Sequence, residues 1–263
     1  MKNIFFVMML GISLCLASCV HQKHVNIYIA GDSTMADRYD TIETPERGWG
    51  QVLPTFLSYK ATVFNHAKNG RSTKSFISEG RWEKIMQTLS KDDIVIIQFG
   101  HNDAKEGDSV RFCTPEAYAG NLTLMVEQAK AVGAKPILCT PIARRHFKAD
   151  TLQYVHAGYP DAMKSVAEKQ QVPLVDMTAI TMEWLAPYGE EGSRPFFVYE
   201  MKPGEYSKYP EGKTDNTHLR LAGAVAVAQL FAKAVKEQNV IPLAEYVEPN
   251  NTQIKYTTPC GIK

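Results

Sequence analysis

Short apolar runs at residues 26–30, 62–65, 93–99, 135–139 and 173–176 recur along this chain, separated by longer stretches with helical spacing. Several are apolar throughout, as in Ile94-Val95-Ile96-Ile97 and Ile137-Leu138. A strand with no polar face must be covered on both sides, and strands alternating with helices build a mostly parallel sheet. The order of elements therefore predicts an α/β fold whose central parallel sheet has about five strands.

Two helices are strongly signalled. Thr114 is a cap, Pro115 suits a first turn, and Glu116 suits the positive end of the dipole. Tyr118, Leu122, Met125, Val126, Ala129 and Val132 then share a face, and Gly133 marks the stop. A second stripe runs through Leu221, Ala224, Val225, Ala228, Phe231, Ala232 and Val235, and a weaker pattern lies between Gly158 and Gln170. Residues 187–213 are rich in proline and glycine and read as a long irregular loop. Its Phe196, Phe197, Tyr199, Tyr206 and Tyr209 argue that the loop is ordered.

Before the first strand, Lys2 precedes an apolar run that ends at Leu16-Ala17-Ser18-Cys19. A positive start, a short apolar core and small residues make a secretory signal, too short for a comfortable span of the bilayer. The last four residues resemble a bacterial lipoprotein cleavage box, with Cys19 as the lipidated new N-terminus. The expected organisation is a signal at 1–18, a tether at 19–24 and a single domain at 25–263, anchored in the cell envelope only by lipid. The 29 Lys and Arg nearly balance 28 Asp and Glu, so nothing calls for nucleic acid as a partner. Cys113, Cys139 and Cys260 follow no disulfide or zinc spacing, and the sequence chooses no pair among them.

In an open parallel sheet, ligands bind beyond the carboxyl ends of the strands, so the residues after each strand matter most. Gly31-Asp32-Ser33-Thr34 follows the first run and can present a serine hydroxyl on a sharp turn. Asn69-Gly70 follows the second and can turn a backbone N–H outward. Gly100-His101-Asn102-Asp103 follows the third and offers a side-chain amide. Asp215 and His218, three residues apart, can lie on one side of a turn just before the last helix. Each motif alone is also what ordinary turns and caps look like.

Taken in order, Gly-Asp-Ser, Asn-Gly, Gly-His-Asn-Asp and Asp-x-x-His resemble the four sequence blocks of the SGNH hydrolases, from Ile27 to about Val235. Gly31-Asp32-Ser33-Thr34-Met35-Ala36, Gly48-Trp49-Gly50, Asn69-Gly70-Arg71-Ser72 and Thr140-Pro141-Ile142 look like the rhamnogalacturonan acetylesterase branch. The resemblance implies a flavodoxin-like three-layer α/β/α sandwich. It also implies a catalytic set of Ser33, Asp215 and His218, with an oxyanion hole from the Ser33 and Gly70 N–H groups and the Asn102 amide. The implied reaction removes acetyl groups from pectic polysaccharide with no metal and no organic cofactor.

For substrate contact, Arg71, Arg144 and Tyr199 are candidates, with Lys74 and Arg145 in similar positions after strands. Each can equally be a solvated cation, a local ion pair or, for Tyr199, a pin for its loop. Asp103, Glu106 and Asp108 read as an acidic solvated loop rather than a cation site. Two rival functions remain open at this point. One is the same chemistry on acetylated xylan, small aryl esters or lipid esters; the other is a glycan-binding surface lipoprotein without catalysis.

Overall fold

The computed structural model describes residues 23–39 and 43–248. The signal at 1–18, most of the tether, Cys19 and Cys260 lie outside them. Five parallel strands form the central sheet in the order β2-β1-β3-β4-β7. They are β1 (Val25–Gly31), β2 (Ala61–Asn65), β3 (Ile94–Gln98), β4 (Lys135–Cys139) and β7 (Leu174–Val175). A two-residue-per-strand hairpin, β5 (Phe147–Lys148) with β6 (Thr151–Leu152), stands apart from the sheet and was not anticipated from sequence.

Alternate residues of the inner strands β1, β3 and β4 supply opposite cores, which is why those runs are apolar, whereas the edge strand β2 leaves one face exposed. Ile27, Ile29, Ile94, Ile96, Ile137 and Cys139 pack on one side. There they meet α1 (Trp49–Val52), α6 (Met177–Leu185) and α8 (Leu221–Glu237). Tyr28, Ala30, Val95, Ile97 and Leu138 pack on the other. Their partners are α2 (Thr73–Ser78), α3 (Arg81–Met86), α4 (Pro115–Ala131) and α5 (Tyr159–Gln170). The three-layer α/β/α sandwich implied by the sequence is thus present.

The signalled helix boundaries have identifiable causes. The Thr114 hydroxyl accepts from the Ala117 N–H, and Gly133 leaves the helix at φ +79°. Val132 and Leu221, placed in apolar stripes by spacing, are instead exposed, Val132 as the cap that ends α4 and Leu221 as the first residue of α8. The region 187–213 is ordered, with a single turn α7 (Gly189–Gly192) and buried Phe196, Phe197, Val198 and Met201. The last helix among the described residues is α9 (Leu243–Tyr246). Cys113 and Cys139 are buried free thiols. Among the described residues no helix is long and apolar enough to cross a membrane.

From β1 the chain crosses to β2 on one side and then to β3 on the other. The winding therefore reverses at β1, the place where an open parallel sheet forms its ligand crevice beyond the strand ends. The loops after β1, β2 and β3 meet there.

Candidate active site

Ser33 sits on the turn that follows β1, and a buried polar chain fixes that turn. Asp32 Oδ1 accepts from the Thr34 N–H and from the Thr34 hydroxyl, both at 2.8 Å. Thr34 Oγ1 in turn accepts from Gln98 Nε2 at 2.7 Å, and Gln98 Oε1 accepts from the Trp49 indole at 3.1 Å. Trp49 N–H also donates to the Thr34 carbonyl at 2.8 Å. The close approach of this loop requires Gly48, where an added Cβ would lie 2.3 Å from the Ala36 carbonyl oxygen. Burial raises the Asp32 carboxyl above its ordinary range, against the pull of the Thr34 hydrogen bonds.

His218 reaches this turn from the opposite end of the chain. Its Nε2 lies 2.9 Å from Ser33 Oγ, and its Nδ1 lies 2.7 Å from Asp215 Oδ2. The other Asp215 oxygen accepts the backbone N–H groups of Thr217 and His218 at 2.8 and 2.9 Å. Asp215 thus shapes the turn that carries the imidazole as well as binding it. Burial opposes ionisation of Asp215, but the His218 hydrogen bond and charge prevail and hold its carboxyl well below the usual range. Lys213 adds to this, with Nζ at 2.8 Å from Asp215 Oδ2.

The 187–213 region holds the same turn from outside. Val198 accepts from the Asp215 N–H and donates to the His218 carbonyl, both at 2.9 Å. Arg145 braces it from beneath, donating from Nη1 to Asn216 Oδ1 at 2.9 Å. Arg145 is buried and its guanidinium also lies 4.1 Å from the Tyr199 ring centroid, with that of Arg194 at 5.1 Å. Tyr199 therefore pins its loop through two cations, and Arg145 is a strut rather than a surface charge.

Gly70, at φ +72°, and Asn102 complete the crevice. The N–H groups of Ser33 and Gly70 have no acceptor among the described residues. Asn102 Nδ2 donates one hydrogen to the Arg71 carbonyl at 3.0 Å and keeps a second. The Asp103 side chain is buried, contrary to the expectation of a solvated acidic loop. It accepts from the Thr73 N–H and hydroxyl at 2.9 and 2.6 Å and from the Gly100 N–H at 3.1 Å. These bonds tie the β3 loop to the start of α2, and burial pushes the Asp103 carboxyl up to about 6.

Two residues that the sequence reading missed, Glu46 and Lys213, stand behind the imidazole. Glu46 is buried and gathers Arg38 Nε at 3.1 Å, Lys208 Nζ at 3.2 Å, Lys213 Nζ at 3.4 Å and the Tyr209 hydroxyl. Burial works against its ionisation, yet Tyr209 and the surrounding charges hold its carboxyl at about 2. The ligand atoms of Glu46, Asp215 and His218 come within 4.8 Å of one another. Three cations and a hydroxyl already engage those carboxylates, so this donor set does not suit a metal ion. Neither residue had a sequence signal, since their pairing spans an irregular loop.

The fold and the Ser–His–Asp geometry define a hydrolase of the α/β/α sandwich type. The chain belongs to the GDSL-like Lipase/Acylhydrolase family, whose profile matches residues 29–226. It is therefore a carboxylic ester hydrolase. It is 38% identical over 227 residues to the rhamnogalacturonan acetylesterase RhgT of Bacillus subtilis, covering 86% of this chain and 95% of that one. It is 34% identical over 223 residues to the probable rhamnogalacturonan acetylesterase YesY of the same organism, covering 84% and 97%. Among solved structures, Bacillus subtilis YxiM superposes with a TM-score of 0.71 at 26% identity, over 83% of this chain and 58% of that one.

Proposed function

We propose that this chain is a serine esterase that removes acetyl groups from pectic polysaccharide, with acetylated rhamnogalacturonan as its substrate. The observation that carries the reading is the unbroken hydrogen-bonded chain from Asp215 through His218 to Ser33 Oγ. The rhamnogalacturonan acetylesterases among its relatives supply the substrate class.

In this reading His218 takes the Ser33 proton as Oγ attacks the acetyl carbonyl carbon. Asp215 keeps Nδ1 protonated and turned away, so Nε2 faces the serine, and its charge stabilises the imidazolium that forms. The developing oxyanion meets the free N–H groups of Ser33 and Gly70 and the second amide hydrogen of Asn102. His218 then returns the proton to the departing sugar oxygen. Water, activated by the same imidazole, attacks the acetyl–Ser33 ester and releases acetate. The chemistry closes on the protein's own residues.

Acetate release from acetylated rhamnogalacturonan, measured beside acetylated xylan, tests the reading. Faster release from the uronate-bearing polymer supports it. Preference for xylan moves the substrate class, and release from neither leaves a glycan-binding protein. For location, we infer secretion and lipid attachment at Cys19, supported by the Leu16-Ala17-Ser18-Cys19 box. Cys19→Ser should free the protein from membranes; unchanged retention in fractionation counts against the anchor.

A further inference from the structure

Four cations follow the strand ends around the crevice, and their partners separate them sharply. Arg71 Nε is held by both Glu79 oxygens, at 3.1 and 3.0 Å, and its Nη1 by the Asn69 carbonyl at 2.8 Å. Lys74 Nζ is bound to the Ser109 carbonyl at 2.7 Å. Arg145 is spent on Ser193, Asn216 and the Glu190 carbonyl. Of the three arginines, Arg144 alone lacks both a carboxylate and an acceptor for each of its nitrogens among the described residues.

Arg144 follows β4 and is half-buried. Its Nε points at His101 Nδ1 at 3.3 Å and its Nη2 donates to the His101 carbonyl at 3.1 Å. Nη1 makes no hydrogen bond among the described residues and is not sealed from solvent. His101 is the neighbour of Asn102, so the guanidinium is anchored one residue from the amide assigned to the oxyanion. Its bonds to His101 fix it to the loop after β3, the loop that also carries Asn102. The groups pressing on it are no substitute for a counter-ion. His101 is forced towards its neutral form by burial first and by His156 next, and Asp32 contributes only through space.

A guanidinium half withdrawn from water without a paired anion favours binding one, and its planar donors match a carboxylate. We propose that Arg144 is a specificity-determining residue whose free Nη edge receives a uronate carboxylate of the acetylated chain. The inference rests on the pectic reading above and gives it a recognising group. It also separates a uronate-bearing chain from xylan, whose backbone sugars carry no acid.

The test compares one set of acetylated rhamnogalacturonan oligosaccharides before and after methyl esterification of their uronate carboxylates. In the wild type, esterification should lower kcat/KM about tenfold, the worth of one charge-assisted hydrogen bond, chiefly through KM. Arg144→Gln should lose a similar factor on the free acids, and esterification should then cost it little more. Arg144→Lys should recover part of the discrimination, and melting curves confirm that each variant is folded. If Arg144 only clamps the His101 loop, Arg144→Gln will fall equally on both substrates, mainly in kcat, and the proposal fails. Wild type indifferent to esterification also overturns it, while leaving the esterase and its pectic substrate standing. A wild type that releases acetate only from neutral xylan overturns both readings together.

Discussion

Lys213 Nζ lies 2.8 Å from Asp215 Oδ2, the same oxygen that receives His218 Nδ1. One carboxylate oxygen is thus shared between a fixed ammonium and the imidazole assigned as general base. The ammonium is itself held by Glu46 at 3.4 Å and lies 4.5 Å from the Tyr209 ring centroid. Lys213 is a positioning residue, acting on Ser33 only through Asp215 and His218.

Lys213→Met should therefore lower kcat with little change in KM. A charge-assisted hydrogen bond is worth about 1.5–3 kcal/mol, so about a tenfold fall is expected when only part of it reaches the transition state. Lys213→Arg, which keeps the charge, should restore part of the rate. A Met variant that is merely less stable, with normal kcat per folded molecule, would show that Lys213 serves the loop and not the base.

Ser33→Ala and His218→Ala should each abolish acetate release, and their combination should be no worse than either alone, because the two act as one unit. Neither supplies core packing, so melting temperatures should stay near the wild type. Substantial turnover in either folded variant would remove the nucleophile and base assignments.

The sheet was legible because its inner strands are buried on both faces, which writes continuous apolar runs such as Ile94-Val95-Ile96-Ile97. All five strands fell within a residue or so of their expected ends. The Ser33, Gly70 and Asn102 blocks were legible as motifs after strands, and the Asp215–His218 block as a pair just before α8. Less visible were groups whose partners are remote in sequence. Glu46 meets Lys208 across 162 residues, and Gln98 meets Thr34 across 64. No local periodicity encodes such pairs. Helix α2 was also missed: it has six residues and begins from a Ser72–Ser75 capping box. That is a local signal but a short one, and the Asn-Gly turn just before it masked it.

A pH effect on stability follows from the buried pair His101 and His156, whose Nδ1 and Nε2 lie 2.9 Å apart. Burial first, then the Arg144 charge, pulls His156 down to about 3, against about 6.5 in an unfolded chain. Between those values the unfolded chain binds a proton that the folded one refuses. This contribution to stability is whole above pH 6.5 and is lost as pH falls through that window. Asp103, raised to about 6, works in the opposite direction, so the net curve does not isolate the histidine. His156→Gln does. Its stability deficit relative to wild type should shrink by about 1 kcal/mol between pH 6 and pH 5. Parallel denaturant curves at the two pH values measure it; a deficit independent of pH would mean that His156 is not held neutral.

Asn102 offers the sharpest division between structure and catalysis. One amide hydrogen is bound to the carbonyl of Arg71, the residue directly after Gly70, so the side chain is pinned to the loop that carries Gly70. Its remaining hydrogen is free for an oxyanion. A donor that strengthens only as charge develops contributes to the transition state and little to the bound ester. Removing one such donor typically costs about 10²–10³ in turnover. Asn102→Ala should accordingly depress kcat and kcat/KM together while KM barely moves. Asn102→Asp should be at least as harmful, because a carboxylate would repel the oxyanion. If the amide only ties the β3 loop to Arg71, the Ala variant should lose about 1 kcal/mol of stability and turn over normally in its folded fraction. Kinetics normalised to folded protein, read beside a melting curve, separate the two. Near-normal kcat in folded Asn102→Ala would confine the oxyanion site to the backbone N–H groups of Ser33 and Gly70.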